Sequence, residues 1–134
     1  MELYRNPDNK FVAGFIGSPS MNFLNGTVSG GKVDVPALGR AVSVSATLPP
    51  EGTAVILGVR PEHIMVGSAD QGATVNLAEA LGGVSYTHLT APTGEHIIVE
   101  ERGDERGREG DTVAVSFEEA RAMVFDAKTE ARIR

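Results

Sequence analysis

The sequence predicts an all-β fold, a small barrel or sandwich with one short N-terminal helix. Three observations predict it. Short apolar runs recur along the whole chain, turn residues separate them, and only two stretches carry a helical signal. A length of 134 residues suits one such domain, and a chain of this size hides roughly 65–70% of its unfolded surface.

The helical signal comes first. The stretch 7–16 opens on Asn6 and Pro7, a cap and first-turn pair, and places Phe11, Val12, Phe15 and Ile16 on one face. Gly17-Ser18-Pro19 ends it. Strands are then expected at 23–28, 32–35, 41–46, 54–59, 74–81, 85–91, 96–100, 112–117 and 122–125. The run Val42-Ser-Val44-Ser-Ala46 alternates with period two, as a half-buried strand does. Ala54 to Val59 is apolar throughout and reads as a central strand covered on both sides. Turns are expected at Gly30-Gly31, 49–52, Gly82-Gly83, 92–94 and 109–111, with 92–94 closing a hairpin. The stretch 102–110 mixes both charge signs on a glycine-rich backbone and reads as a solvated hairpin tip. The second helical signal, 117–121, is worth one turn.

Composition excludes several functions. Lys+Arg number 12 against 18 Asp+Glu, a formal charge of −6, which argues against nucleic acid as a partner. A nucleic-acid-binding barrel would also need stacking aromatics, and the chain has Phe 5, Tyr 2 and Trp 0. With Cys 0 there is no disulfide and no thiolate metal site, and a reducing cytosol is the simplest compartment. No apolar run approaches the roughly 18 residues of a membrane-spanning helix, and the N-terminus lacks the build of a signal peptide.

Motifs narrow the reading further. Gly26 to Lys32 satisfies the first seven positions of a phosphate-binding P-loop, but Val33 stands where the magnesium-holding Ser or Thr must be. Val33-Asp34-Val35-Pro36 cannot open the required helix, so a Gly-Gly hairpin is expected and no nucleotide site. His63, His88 and His96 show no tight ligand spacing, and no metal is expected. No Gly-x-Ser-x-Gly elbow occurs, and no catalytic residue is assigned. The most informative segment is Gly58-Val59-Arg60-Pro61-Glu62-His63-Ile64. Pro61 ends the apolar strand sharply, and Arg60 and Glu62 are expected to project at the rim, toward each other or a neighbouring chain. The competing expectation is a structural corner whose Arg60 satisfies nearby carbonyls.

These residues resemble a family. Glu2-Leu3-Tyr4, Pro7, Asn9 and the run Phe11 to Pro19, followed by Met21-Asn22-Phe23-Leu24, are similar to the segment behind the ATPase core in bacterial carbohydrate ABC importers. The nearest type is the maltose and glycerol-3-phosphate class of ATP-binding subunits. Residues 58–64, 110–117 and 124–129 resemble that family's later motifs, so the resemblance covers about residues 2–133. It departs at Glu119 to Met123, where the family usually has Pro-Glu-Arg-Val-His, and the ATPase core is missing. The resemblance implies a connecting helix at 1–19 and an OB-fold-like regulatory domain of TOBE type at 20–134. It implies no cofactor in this chain, since ATP and magnesium belong to the absent ATPase part. Implied partners are a second copy, the membrane permease subunits through that ATPase part, and a regulatory protein. The implied place is the cytoplasm, with the parent peripheral on the inner membrane. Arg60, Glu62 and His63 are the candidate regulatory or interface residues, and Phe11, Phe15 and Ile16 the dimer or core-docking face. Because related TOBE domains resemble molybdate binders, a small-oxyanion module with donors near Gly82-Gly83 is the alternative.

Overall fold

The computed structural model describes residues 8–10, 21–80, 82–102 and 108–134. Ten strands account for most of them. β1 (Asn22–Ser29), β2 (Lys32–Val35), β3 (Arg40–Val42), β4 (Ala54–Val59), β9 (Met123–Asp126) and β10 (Arg132–Ile133) form a sheet in the order β10-β9-β4-β1-β2-β3. β5 (Met65–Ala80), β6 (Val84–Thr90), β7 (His96–Arg102) and β8 (Thr112–Ser116) form a second, in the order β7-β6-β5-β8. Every neighbouring pair runs antiparallel. The expected all-β class is therefore the observed one.

Local chemistry explains most of the boundaries. Gly30 and Gly31 take φ of 61° and 76°, which suits a two-residue hairpin turn, and Thr27, Val28 and Ser29 pair with Asp34, Val33 and Lys32 across it. The glycine-rich stretch after residue 26 is thus a hairpin, as its sequence predicts. β4 is buried at Val55, Ile56, Leu57, Gly58 and Val59, on both of its faces. One face joins Leu24, Val75, Leu89, Ile97 and Val99 in the main core shared by the two sheets. The other meets Met21 and Phe125 in a smaller cluster, where Phe23 stands edge-on to Phe125 with ring centres 5.9 Å apart. Each fully buried aliphatic side chain here contributes about 1.5–3 kcal/mol.

Three differences from the sequence reading have physical reasons, and two expectations fall largely outside the described residues. The helix expected over 7–16 lies largely outside the described residues, Phe11, Phe15 and Ile16 among them. At Asn9, which is described, the chain is extended and bridges Ala131, with Lys10 N donating to Glu130 O at 2.9 Å. β3 stops at Val42 rather than 46: Ser43 N turns away to donate to Glu119 Oε2 at 3.0 Å, and β2 ends one residue further, at Lys32. Val44 and Ala46 still pack on the core, so the period-two burial persists without a ladder. β5 starts at Met65 instead of 74, and it is mostly exposed. Its register shifts between Ser68 and Ala73. There Gly72 has φ 154° and comes so close to β8 that a Cβ would lie 2.2 Å from Val113 O. Finally, β7 and β8 lie at opposite edges of their sheet. The connection between them therefore joins opposite edges of the sheet, while the solvated tip expected over 102–110 lies largely outside the described residues. The one expected turn of helix near 117–121 is a 3-10 turn over Glu119–Arg121.

Candidate functional site

The corner after β4 brings together what the sequence separates. Arg60 is still extended, at φ −68° and ψ 142°, and Pro61 opens a 3-10 turn, Pro61–His63. His63 N donates to Arg60 O at 3.0 Å and Ile64 N to Pro61 O at 3.3 Å. The proline ring thus turns the chain back within three residues. Glu62 is exposed and His63 half-buried. Arg60 is only 3% exposed, so it does not project at the rim as the sequence suggested. Its surroundings are the Glu119–Arg121 turn, with which it lines a common cleft, and β9, which pairs with β4.

A cleft of about 470 Å³ opens at this corner, lined by Arg60, His63, Ala120, Arg121, Ala122, Met123 and Arg132. Arg121 Nε donates to Glu118 Oε2 at 3.3 Å and its Nη1 lies 3.0 Å from His63 Nε2. Because a guanidinium can only donate, Nε2 is the accepting nitrogen of His63 and Nδ1 carries the proton. Burial keeps His63 below the usual histidine range. Glu62 opposes that, Arg121 and Arg60 reinforce it, and Glu118 opposes it more weakly. Arg132 is held below the usual arginine value by burial first and then by Arg134, against the pull of Asp8. Arg134 in turn pairs with Asp8. The arrangement is cationic and recessed.

Other candidates fall elsewhere. His88 Nδ1 lies 3.2 Å from His96 Nε2 across the β6–β7 hairpin, and His88 Nε2 lies 2.5 Å from Glu79 Oε1. Among the described residues no group of three His, Cys, Asp or Glu is placed to hold a metal. Gly82 and Gly83 are exposed turn residues. Sequence reasoning missed Arg121 and Arg132 as parts of the corner, and it also missed Asn22. That buried side chain donates to Ile98 O at 2.8 Å and accepts from Ile98 N at 2.7 Å, joining the two sheets. A buried amide at the start of an apolar strand was its one available signal.

The two curled, antiparallel sheets around one core define an OB-type β domain, and residues 17–64 match the MalK OB fold domain. The chain belongs to the TOBE domain family, which matches residues 57–125. It is 44% identical to the lactose transport ATP-binding protein LacK of Rhizobium radiobacter, over 95% of this chain and 38% of that protein. It is 38% identical to the sn-glycerol-3-phosphate import ATP-binding protein UgpC of Chromohalobacter salexigens, over 96% of this chain and 36% of that protein. The chain therefore spans under two-fifths of the length of these curated relatives. Among solved structures, the cytoplasmic molybdate-binding protein ModG shares the fold, with a TM-score of 0.61 at 15% identity over 77% of this chain and 94% of that one. Among the described residues no helix is long and apolar enough to cross a membrane.

Proposed function

We propose that this chain is the regulatory and dimerisation domain of the ATP-binding subunit of an ABC importer for sugars or glycerol-3-phosphate-like solutes. The observation that carries this reading is 44% identity with a lactose transport ATP-binding protein across 95% of the chain. The unmatched remainder of such a parent would hold the ATPase core, with its ATP and magnesium. This chain would then be its non-catalytic part. Residues 1–19 would connect the core to the domain at 20–134, and Phe11, Phe15 and Ile16 would dock on that core or on a twin chain. Glu62, exposed at the corner, is the residue best exposed to meet a regulatory partner, with His63 beside it and Arg60 holding the turn from beneath. The parent would sit on the cytoplasmic face of the inner membrane against its permease subunits.

The test is transport by the parent with and without residues 20–134, expressed beside its permease subunits in membrane vesicles. Loss of pairing between ATP-binding subunits, with nucleotide binding retained, is the expected result. Unchanged pairing, transport and regulation after the deletion would overturn the reading.

A further inference from the structure

Two of the chain's three histidines meet on the outer face of the second sheet. His96 pairs with Thr90 and Glu79 with Tyr86, and these partners flank His88 two positions away on either side along β6. Because strand side chains alternate between faces, Glu79, His88 and His96 fall on one diagonal across β5, β6 and β7. The two rings are 8 positions apart in sequence, a spacing with no metal signature, yet His88 Nδ1 lies 3.2 Å from His96 Nε2. We propose that this histidine pair chelates a divalent transition-metal ion of the kind that prefers imidazole, zinc or copper. The proposal stands on the hairpin's own geometry and is independent of the importer reading.

Distance supplies the first argument. Zinc holds imidazole nitrogens at about 2.0–2.1 Å in a tetrahedral shell, which sets two such nitrogens about 3.3–3.4 Å apart. The square arrangement that copper favours sets neighbouring nitrogens about 2.8–3.0 Å apart. The observed 3.2 Å lies between the two. The ring centres stand 5.3 Å apart with the planes tilted by 39°. Two imidazoles on one tetrahedral ion place their centres at about 5.2 Å.

The tautomers supply the second. Glu79 Oε1 lies 2.5 Å from His88 Nε2, and a carboxylate only accepts, so Nε2 carries a proton. Neutral His88 then turns the lone pair of Nδ1 toward His96, whose Nε2 donates to it in the metal-free pair. When a metal enters, His96 loses the Nε2 proton to solvent and takes one up at Nδ1, so both rings stay neutral. Glu79 is a positioning residue, because a carboxylate on the far nitrogen orients a ligating ring and raises its basicity. It is not a third ligand, and among the described residues no group of three is placed to hold a metal. Water completes the shell. The ion can reach the pair from solvent, since the His88 side chain is 21% exposed and His96 is exposed. A formal charge of −6 draws cations toward the chain.

Zinc titration of the untagged chain, read by long-range proton–nitrogen NMR of the imidazoles, tests this. His88 Nδ1 and His96 Nε2 should shift with a dissociation constant below about 100 μM, while His63 should not respond. Copper should bind more tightly than zinc in calorimetry, and magnesium and calcium should not bind. His88→Gln and His96→Gln should each weaken zinc by about tenfold or more, because either change destroys the chelate. Glu79→Gln, at a side chain 54% exposed, should weaken zinc by about tenfold. It should also move the His88 Nε2 resonance with an unchanged far-ultraviolet circular dichroism spectrum. No imidazole shift at about 1 mM zinc would overturn the proposal. So would shifts confined to His63, an affinity that neither histidine variant alters, or calcium matching zinc. Zinc affinity unaltered by Glu79→Gln would overturn the role given to that carboxylate.

Discussion

β4 and β5 are neighbours in sequence and opposites in physics. Of the six residues of β4, all but Ala54 are buried, and the strand sits between β1 and β9. β5 runs for 16 residues with Ala73 and Val75 as its buried positions, and it carries Leu77 at 46% and Met65 at 57% exposure. The first is held by side-chain packing on two faces. The second is held largely by its backbone ladders to β6 and β8. The contrast teaches that strand length and strand stabilisation are separate properties. A short strand can anchor the domain while a long one rides mostly on pairing.

The same substitution in the two strands sharpens this most. Leu57→Ala empties a site with 0% exposure and should lower unfolding stability by about 3–4 kcal/mol in a denaturant titration. If Leu57→Ala costs no more than Leu77→Ala, the contrast is wrong. The link between the sheets comes next. Asn22→Ala removes both hydrogen bonds to Ile98 and strands two backbone groups, a loss of about 2–3 kcal/mol. Gly58→Ala should cost about 1–2 kcal/mol, because a Cβ there would lie 2.5 Å from Met21 Sδ and 2.9 Å from Phe125 Cε2. A neutral result in thermal melts would show that Met21 moves aside freely.

A pH effect follows in size. Burial lowers the pKa of His63 and of His96, the latter with help from His88. Above the unfolded value of about 6.5 both states are neutral and the shifts contribute nothing. As pH falls below it the unfolded chain takes up protons first, so stability is lost until the folded-state pKa values are passed. Melting temperatures between about pH 7.5 and 5.5 should therefore decline, and His63→Asn should flatten the decline. Leu77→Ala is the smallest change, expected within about 0.5 kcal/mol.

Legibility in the sequence tracked the same contrast. The bounds of β4 were read correctly because its run of Ala, Val, Ile and Leu is bounded by Gly52 and Pro61. The first half of β5 was not, because Gly67-Ser68-Ala69-Asp70-Gln71-Gly72 has no apolar alternation to report. Its strand conformation comes from pairing Met65 with Ser116 and Ser68 with Val113, which no local pattern encodes. The corner was half legible. Arg60, Glu62 and His63 stood out beside Pro61, but Arg121 and Arg132 lie some sixty and seventy residues away in the chain and looked like ordinary surface cations.

By itself the sequence determined where most strands begin and end and where the chain turns, and its motifs placed the chain in the TOBE family. These are local properties: side-chain period, proline and glycine conformation, and the order of motifs along the chain. Tertiary structure alone decided that β8 pairs with β5 and not with β7. It also decided that Asn22 clamps two sheets and that Arg60 lies buried beneath a cleft shared with Arg121 and Arg132. The physical reason is that period two tells a side chain which face it takes but never which strand lies opposite. Burial of a charged group depends on what folds over it, and here that cover arrives from the other end of the chain.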